Sequence, residues 1–224
     1  TQVRGSYFYK QSQVAVKHLN KLIGSKVFNN PKDHIELSRI FSYVTNGNPT
    51  AVFMDFFAGS GSTGHAVMEL NAADGGHRRF ILVQLPEVLD PSKKDQKEPA
   101  AFCDKLGKPR NIAEISKERL RRAGAEISKA SGGSIDTGFR VFKLDTTNIR
   151  EWAPDRDNVA SSLEEAALHL KKDRSENDIL FELLLKLGLD LTSEIEARSL
   201  DDHVVYSIGA GTLFVCLSTA IERS

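Results

Sequence analysis

The sequence predicts an α/β fold, because apolar segments typical of strands alternate with amphipathic segments typical of helices. An apolar run at 51–57 leads through a glycine-rich turn into a helical pattern at 63–70. A second apolar run covers 79–85, a long helix is expected over 112–127, and a third apolar run covers 139–144. This order favours part of an open sheet, in which ligands bind beyond the carboxyl ends of the strands.

Helices are also predicted before the first strand. Apolar stripes at 14–23 and 35–44 have helical spacing, and the Asn-Gly-Asn-Pro sequence at 46–49 ends the second stripe. The segment 87–110 is rich in Lys, Asp and Pro, and we interpret it as a mobile loop, with a lid or a docking surface as the alternatives. The basic residues of the long helix are assigned to a solvated face rather than to phosphate contacts: Lys117, Arg119, Arg121 and Arg122.

The character of the chain changes after about residue 148. Two helical patterns are predicted, at about 160–171 and 176–187. Two apolar runs at 204–208 and 212–217 are joined by a short glycine-containing turn, which predicts a hairpin. We therefore expect a first domain over 1–148 and a small α+β appendage of helices and a hairpin over 149–224.

The composition is that of an ordinary globular protein without excess charge. Of the 224 residues, 40% are hydrophobic and 27% are charged, and 30 basic residues balance 30 acidic ones. A net charge of zero weighs against this chain being the main DNA-binding surface of a protein. No apolar stretch approaches the roughly 20 residues that span a membrane, and no signal-peptide pattern is present. A cytoplasmic location is therefore expected.

The sequence offers no pattern of metal ligands or nucleophiles. Cys103 and Cys216 form no disulfide framework, and the six histidines have no metal-ligand spacing with carboxylates or cysteines. No serine, histidine and aspartate stand in a context that supports a catalytic triad. We predict no metal site and assign no catalytic residue.

The segment 55–64, which we call the glycine loop, reads Asp-Phe-Phe-Ala-Gly-Ser-Gly-Ser-Thr-Gly. Gly59 and Gly61 tolerate positive φ and let a ligand approach the backbone, while the helix N-terminus that follows favours anionic groups. The spacing matches neither the dinucleotide fingerprint nor a P-loop. An acidic residue before the glycines suits a cationic ligand, and S-adenosylmethionine, with its sulfonium, ammonium and carboxylate, fits. A tight turn without a ligand is the alternative.

The glycine loop resembles the cofactor motif of the amino-methylating DNA methyltransferases. Further segments narrow the resemblance to the modification (Mod) subunits of type III restriction–modification systems, and together they cover nearly the whole chain. These segments lie at 28–32, 75–87, 112–124, 138–145 and 178–186. The resemblance implies a partial Rossmann-like S-adenosylmethionine-dependent methyltransferase fold that contains the cofactor-binding half of the sheet.

The resemblance also implies which residues contact the cofactor. Asp55 would anchor the methionine moiety, and either Gln84 or Glu87 would accept the ribose hydroxyls. On local grounds, Thr63 can equally cap the helix. The full set of contacts implied by the resemblance is Asn30, Pro31, Lys32, Asp55, Phe57, Gly59, Ser60, Gly61, Thr63, Gln84 and Glu87.

The family's catalytic motif, Asp-Pro-Pro-Tyr or a close variant, is absent, because the seven prolines never occur as a pair. In the family this motif precedes the cofactor motif, with the target-recognition region between them. We therefore interpret the chain as the C-terminal part of a DNA adenine N6-methyltransferase, inactive alone, and a first residue Thr1 agrees. The implied partners are the missing N-terminal part, DNA through the complete enzyme, the restriction (Res) subunit and a second Mod subunit.

Two alternative functions stay open. The chain can be a non-catalytic fragment in which residues 150–224 dock another subunit, or an unrelated small-molecule methyltransferase. The family segments that follow the glycine loop argue against the second alternative.

Overall fold

The computed structural model describes residues 12–150, 157–158, 170–171 and 173–218. The chain divides into two compact units, Thr1–Phe139 and Arg140–Ser224, and each is described by itself. No helix among the described residues is both long and apolar enough to cross a membrane.

The first unit contains five helices and a two-stranded sheet within its described residues. The elements are α1 (Ser12–Ile23), α2 (His34–Val44), β1 (Val52–Asp55), α3 (Ser62–Asp74), β2 (Arg79–Leu82), α4 (Lys97–Lys105) and α5 (Ile112–Ala130). Side-chain caps begin two of the helices: Asp33 accepts from the amides of Ile35 and Glu36, and Asn111 accepts from the amide of Glu114. The helices predicted at 14–23, 35–44, 63–70 and 112–127 are therefore confirmed.

Strands β1 and β2 form a parallel pair whose crossover is α3. Val52 lies opposite Arg79 and Asp55 lies opposite Leu82, so both strands end at the same edge of the sheet. The predicted strands at 51–57 and 79–85 are confirmed, although each is only four residues long. This parallel pair sets the start of the glycine loop beside the residues that follow β2.

Two clusters of buried side chains hold the first unit together. One joins α1, α4 and α5, with Leu19, Phe102 and Ile115 at its centre. The other joins α3 and α5 through Met68 and Leu120, with Phe80 and Leu82 of β2 packed against them. The sheet is thus covered by helices on the face that Phe80 and Leu82 occupy.

The strand predicted at 139–144 does not form. Its apolar side chains remain largely exposed, with Leu144 fully open to solvent, and the described residues provide no strand for it to pair with. An apolar run becomes a strand only where a neighbour accepts its backbone hydrogen bonds. The prediction was wrong because it relied on hydrophobicity alone and did not ask which strand would pair with this segment.

The interpretation of 87–110 as a mobile loop was also wrong over part of its length. Helix α4 occupies residues 97–105, and its Ala100, Phe102 and Cys103 are buried in the first hydrophobic cluster. The high charge of this segment lies on the residues around the helix and on its exposed face. The sequence reading gave weight to the many charged residues of this segment and missed the helical spacing of its few apolar ones.

The second unit contains one helix and a three-stranded antiparallel sheet among its described residues. These are α6 (Glu176–Lys186), β3 (Ile195–Leu200), β4 (His203–Ile208) and β5 (Leu213–Cys216), and the sheet order is β3–β4–β5. Leu180 and Leu184 of α6 pack with Ile208 of β4 to form the core. The helix predicted at 176–187 and the hairpin predicted at 204–217 are confirmed.

Strand β3 was not predicted, and the helix predicted at about 160–171 falls almost entirely outside the described residues. The β3 sequence Ile-Glu-Ala-Arg-Ser-Leu lacks an apolar alternation because most of the strand is exposed at the edge of the sheet. Its strand conformation comes from pairing with β4, from Ile195 opposite Ile208 to Leu200 opposite His203.

Candidate functional site

Asp55 organises the glycine loop at the end of β1. One carboxylate oxygen accepts from the backbone amide of Phe57 at 3.0 Å, and the other accepts from the Thr63 hydroxyl at 2.6 Å. Asp55 therefore ties the start of the loop to the first turn of α3. The alternative in which Thr63 caps α3 is not observed, since the cap position is Gly61 and no side chain caps the helix there.

Two glycines give the loop its shape. Gly59 and Gly61 have φ values of 52° and 74°, in the left-handed region where a side chain is strained. A Cβ on Gly61 would lie 3.3 Å from the carbonyl oxygen of Ser116, and a Cβ on Gly59 would lie 3.5 Å from the ring of Phe28. The backbone here lies close to α5 on one side and to Phe28 on another, which only glycine permits without strain.

The second strand reaches the loop through Gln84. Its side-chain carbonyl accepts from the amide of Gly59 at 2.7 Å, and its amide nitrogen donates to the carbonyl of Leu85 at 3.1 Å. Glu87 is exposed and its backbone bonds to Leu85 and Ile112. Of the two candidates for the ribose contact, the structure therefore brings Gln84 to the loop.

The Asn-Pro-Lys segment lies just before α2. Pro31 is buried, whereas Asn30 and Lys32 are exposed. Phe28 connects this segment to the loop through its contact with Gly59, but no hydrogen bond within the described part of the chain joins Asn30 or Lys32 to the loop. Phe57, on the loop itself, is 87% exposed.

Beneath the loop lies a buried arginine, Arg119 of α5, which is only 2% exposed. One guanidinium nitrogen donates to the hydroxyls of Ser60 at 2.9 Å and Ser62 at 2.6 Å. The assignment of Arg119 to a solvated face was therefore wrong, because the sequence reading saw a run of basic residues and not the face that turns inward. The helical spacing from Ile115 to Arg119 and Ile127 was the available signal.

The Ser60 hydroxyl, one of the predicted ligand contacts, is already engaged by Arg119 and lies 3.2 Å from the Ser62 hydroxyl. Ser116 of α5 donates to the Gly59 carbonyl. These bonds hold the 59–62 backbone from below. Amides of the loop also donate within the protein, namely those of Phe57, Ala58, Gly59 and Gly61. The amides of the first turn of α3, which have no acceptor within the helix, are therefore the groups that this loop can offer to a ligand.

The fold also brings together three metal-ligating groups that are not all close in sequence. Ring nitrogens of His34 and His65 and a carboxylate oxygen of Glu69 lie within 4.8 Å of one another. The imidazole rings of His34 and His65 are stacked, with centroids 3.8 Å apart at 12°, and Arg119 donates towards His65 Nδ1 at 3.4 Å. Stacked rings cannot both point a nitrogen at one ion, and a guanidinium cation beside them opposes a second cation. The arrangement does not fit a metal.

Because the stacked histidines are buried, we expect the first unit to lose stability in acid. Burial, reinforced by the neighbouring His65 and Arg119, lowers the pKa of His34 from 6.5 to about 3, so the folded unit keeps this ring neutral. Below about pH 6.5 the unfolded chain binds a proton at this histidine that the folded chain does not bind. The contribution of His34 to the free energy of unfolding is therefore fully present above pH 6.5 and is lost as the pH falls towards 3.

The expected result is that His34→Gln flattens the decline of the melting temperature between pH 6.5 and pH 3. His77→Gln is the matched control, because His77 is exposed. Superimposable pH profiles for wild type and His34→Gln would show that His34 is not the group responsible.

Relatives of this chain are found among curated proteins, whereas no family model matches it. It is 36% identical over 131 residues to the Mod subunit of the type III restriction–modification enzyme StyLTI of Salmonella typhimurium, which covers 58% of this chain and 18% of that protein. It is 33% identical over 140 residues to the EcoPI Mod subunit of Escherichia phage P1, covering 61% and 20%. It is 44% identical over 80 residues to the type II methyltransferase M.KpnI of Klebsiella pneumoniae, covering 35% and 18%.

Over the matched residues, the chain is similar to one class of proteins, the methyltransferases and Mod subunits of restriction–modification systems. Within that class, the matched part is a Mod-like segment, related to the Mod subunits of type III restriction–modification enzymes. The chain spans about a fifth of the length of each of these relatives.

Proposed function

We propose that the first unit is the S-adenosylmethionine-binding part of a site-specific DNA adenine N6-methyltransferase of a type III restriction–modification system. The observation that carries this proposal is the glycine loop. Asp55, two glycines with positive φ and Gln84 meet where two parallel strands end. Ligands of open α/β sheets bind at this edge. The parallel pair β1–β2, with α3 as its crossover helix, supports a partial Rossmann-like sheet.

The residues present fit the cofactor's charges. The Asp55 carboxylate has further lone pairs to accept from an ammonium group, since each oxygen accepts only one described hydrogen bond, and its negative charge attracts a sulfonium. The exposed ring of Phe57 offers an apolar surface, and Gln84, hydrogen-bonded to Gly59, is the proposed partner of the ribose hydroxyls. Asn30, Pro31 and Lys32 would border the site from the side of Phe28. When bound, S-adenosylmethionine supplies an electrophilic methyl group.

Methyl transfer also needs an acceptor adenine held beside the donor methyl group. Methyltransferases that act on duplex DNA flip this base out of the stack. The chain has no paired-proline catalytic tetrapeptide, so its own residues bind and orient the donor and do not hold the acceptor base. Much of the rate of such a transfer comes from placing donor and acceptor in line. We therefore propose that another polypeptide segment completes the active site.

The open edge of the sheet is the proposed place for that segment. β1 pairs with β2 and with no other strand among the described residues, so its second edge is unpaired. The apolar side chains of one face are also exposed: Val52, Met54, Ile81 and Val83. An unpaired apolar edge invites strand addition. The N-terminal part of a methyltransferase is the proposed occupant, and residues 149–224 are the proposed docking region for the Res subunit or a second Mod subunit.

The first test is direct binding. Equilibrium dialysis of the chain with labelled S-adenosylmethionine should give saturable binding that unlabelled S-adenosylhomocysteine displaces and ATP does not. Saturable binding that ATP displaces equally would indicate a general nucleotide site. No binding at millimolar cofactor would contradict the proposed function.

We expect the chain by itself to be unable to methylate DNA. It lacks the adenine-holding motif and carries no net charge to attract a polyanion. A filter assay with labelled donor and mixed-sequence duplex DNA should give counts at background. Incorporation into adenine that disappears in Asp55→Ala would show that the acceptor site lies within these 224 residues.

The open edge of β1 should make the chain self-associate. Light scattering at rising concentration is expected to show growing oligomers for the wild type and fewer for Met54→Lys, which places a charge on the exposed face. Val44→Lys, at an exposed residue on α2, is the matched control. Co-expression with an N-terminal methyltransferase part should also suppress the oligomers. A wild-type chain that stays monomeric at high concentration would contradict an exposed pairing edge.

A further inference from the structure

His65 lies in α3 directly after the glycine loop and is only 7% exposed. Its two ring nitrogens have different partners. Nε2 lies 3.5 Å from a carboxylate oxygen of Glu69, and Nδ1 accepts from Nε of Arg119 at 3.4 Å. A carboxylate needs a donor, whereas a guanidinium can only donate. The proton of the neutral ring is therefore on Nε2, and Nδ1 is an acceptor without a proton.

Arg119 connects His65 to the glycine loop. Its Nη1 donates to the hydroxyls of Ser60 at 2.9 Å and Ser62 at 2.6 Å, and to the Ser60 carbonyl at 3.4 Å. Nε and Nη1 belong to one planar guanidinium. The bond from Nε to His65 therefore fixes the plane in which Nη1 reaches the two serines. His65 orients this part of the loop through Arg119.

A proton on Nδ1 of His65 would break this arrangement. The ring would then present an N–H group to the N–H group of Arg119, and a second cation would stand beside the guanidinium. Burial lowers the pKa of His65, and the charge of Arg119 acts in the same direction, so the ring is neutral at neutral pH. It takes up its proton only below pH 6.5, its ordinary value.

Other titratable groups surround His65 and Arg119 on the helices packed around them. These are Glu69 of α3, Glu126 of α5, His34 of α2, its cap Asp33, and His18 of α1, whose ring lies 5.8 Å from that of His34. The two glutamates favour a proton on His65, but burial has the larger effect on its pKa. His34 is itself held neutral by burial.

We propose that His65 is a positioning residue of the donor site, whose unprotonated Nδ1 holds Arg119 in the orientation that fixes Ser60 and Ser62. The inference rests on the proposed function of the loop. It makes cofactor binding depend on one proton. When Nδ1 is protonated, Arg119 loses an acceptor and the loop loses its support from below, and cofactor affinity falls while the unit is still folded.

The experiment separates the acceptor at Nδ1 from the bulk of the ring. His65→Asn places an oxygen near the position of Nδ1, so it keeps an acceptor for Arg119 but cannot titrate. His65→Leu keeps apolar bulk and removes the acceptor. His77→Asn is the matched control, because His77 is exposed. Titration calorimetry with S-adenosylmethionine is carried out between about pH 7.5 and about pH 5, the range in which histidines titrate. The melting temperature at each pH confirms that the protein is folded.

At neutral pH, His65→Asn and His77→Asn should bind the cofactor nearly as well as the wild type. His65→Leu should bind about tenfold more weakly, in line with a lost hydrogen bond to a charged group. In acid, the wild type should lose affinity faster than His65→Asn. The ratio of their affinities should approach about tenfold per pH unit, the limit for one linked proton. Protonation of the ligand or of other groups acts on both proteins alike and cancels in this ratio.

Imidazole 15N spectra of the folded protein show directly which nitrogen carries the proton. The signals that disappear in His65→Asn should be those of an unprotonated Nδ1 and a protonated Nε2. A proton on Nδ1 at neutral pH would overturn the inference. So would superimposable pH profiles for the wild type and His65→Asn, an asparagine variant as weak as the leucine variant, or a leucine variant that binds like the wild type. In each of these outcomes the proposed function stands. If the wild type does not bind the cofactor at any pH, both proposals fail.

Discussion

Asp55→Ala is expected to weaken S-adenosylmethionine binding by roughly thirtyfold, equivalent to about 2 kcal/mol, the usual worth of a hydrogen bond to a charged group. The substitution removes the only acidic side chain of the loop and leaves the Phe57 amide and the Thr63 hydroxyl without their acceptor. Titration calorimetry on the two proteins measures the change.

Asp55→Asn separates charge from geometry. It keeps the size of the side chain and one acceptor oxygen but removes the negative charge. If Asp55 recognises the cofactor's positive groups, the asparagine variant should bind nearly as weakly as the alanine variant. If it binds like the wild type, Asp55 acts only by shaping the loop. Equal affinities of wild type and Asp55→Ala would remove Asp55 from the site altogether.

Gly64→Val is expected to destabilise the first unit by about 3 kcal/mol. Gly64 is buried in the first turn of α3, and a Cβ there would lie 2.7 Å from a methyl carbon of Leu120, 3.1 Å from one of Leu82 and 3.4 Å from the ring of Phe80. Helix α3 approaches the sheet and α5 at this glycine, so a branched side chain must push them apart. Denaturant unfolding measures the loss.

Ala73→Val is the matched control for this prediction. Ala73 lies on the exposed side of the same helix, so valine there adds a branched side chain without meeting a neighbour. Its helix-propensity cost is about 0.5 kcal/mol, a cost that Gly64→Val does not carry because glycine is the poorer helix former. The loss at position 64 should exceed that at position 73 severalfold. Similar small losses at both positions would mean that α3 does not pack against α5 and the sheet as closely as these distances require.

The elements that could be predicted from the sequence are those determined by local pattern. The glycine loop was recognisable because Gly59 and Gly61 stand between an apolar run and a helical stripe, and the two glycines adopt the positive φ values that such a turn needs. Helix α5 followed from the same kind of local signal, whereas its cap Asn111 was not predicted. In each case the residues that decide the conformation lie within one turn of each other.

Long-range contacts could not be predicted. Arg119 lies 57 residues from Ser62 along the chain, and only the packing of α5 under the loop reveals that it is buried. The stacking of His34 on His65 likewise requires α2 and α3 to be adjacent. Strand β3 forms because β4 provides a partner, whereas residues 139–144 lack one. Hydrophobicity alone does not reveal that β3 forms a strand and that residues 139–144 do not.

The measurement that tests the glycine loop as donor site most directly is an NMR titration of the chain, labelled with 15N-glycine, with S-adenosylmethionine. The backbone amides of Gly59 and Gly61 should shift progressively and saturate, while those of Gly107, Gly132 and Gly209 stay in place. Gly107 and Gly132 lie in open turns of the same unit, so they report non-specific effects. Saturable shifts confined to glycines other than Gly59 and Gly61, or no shifts at millimolar cofactor, would contradict the account.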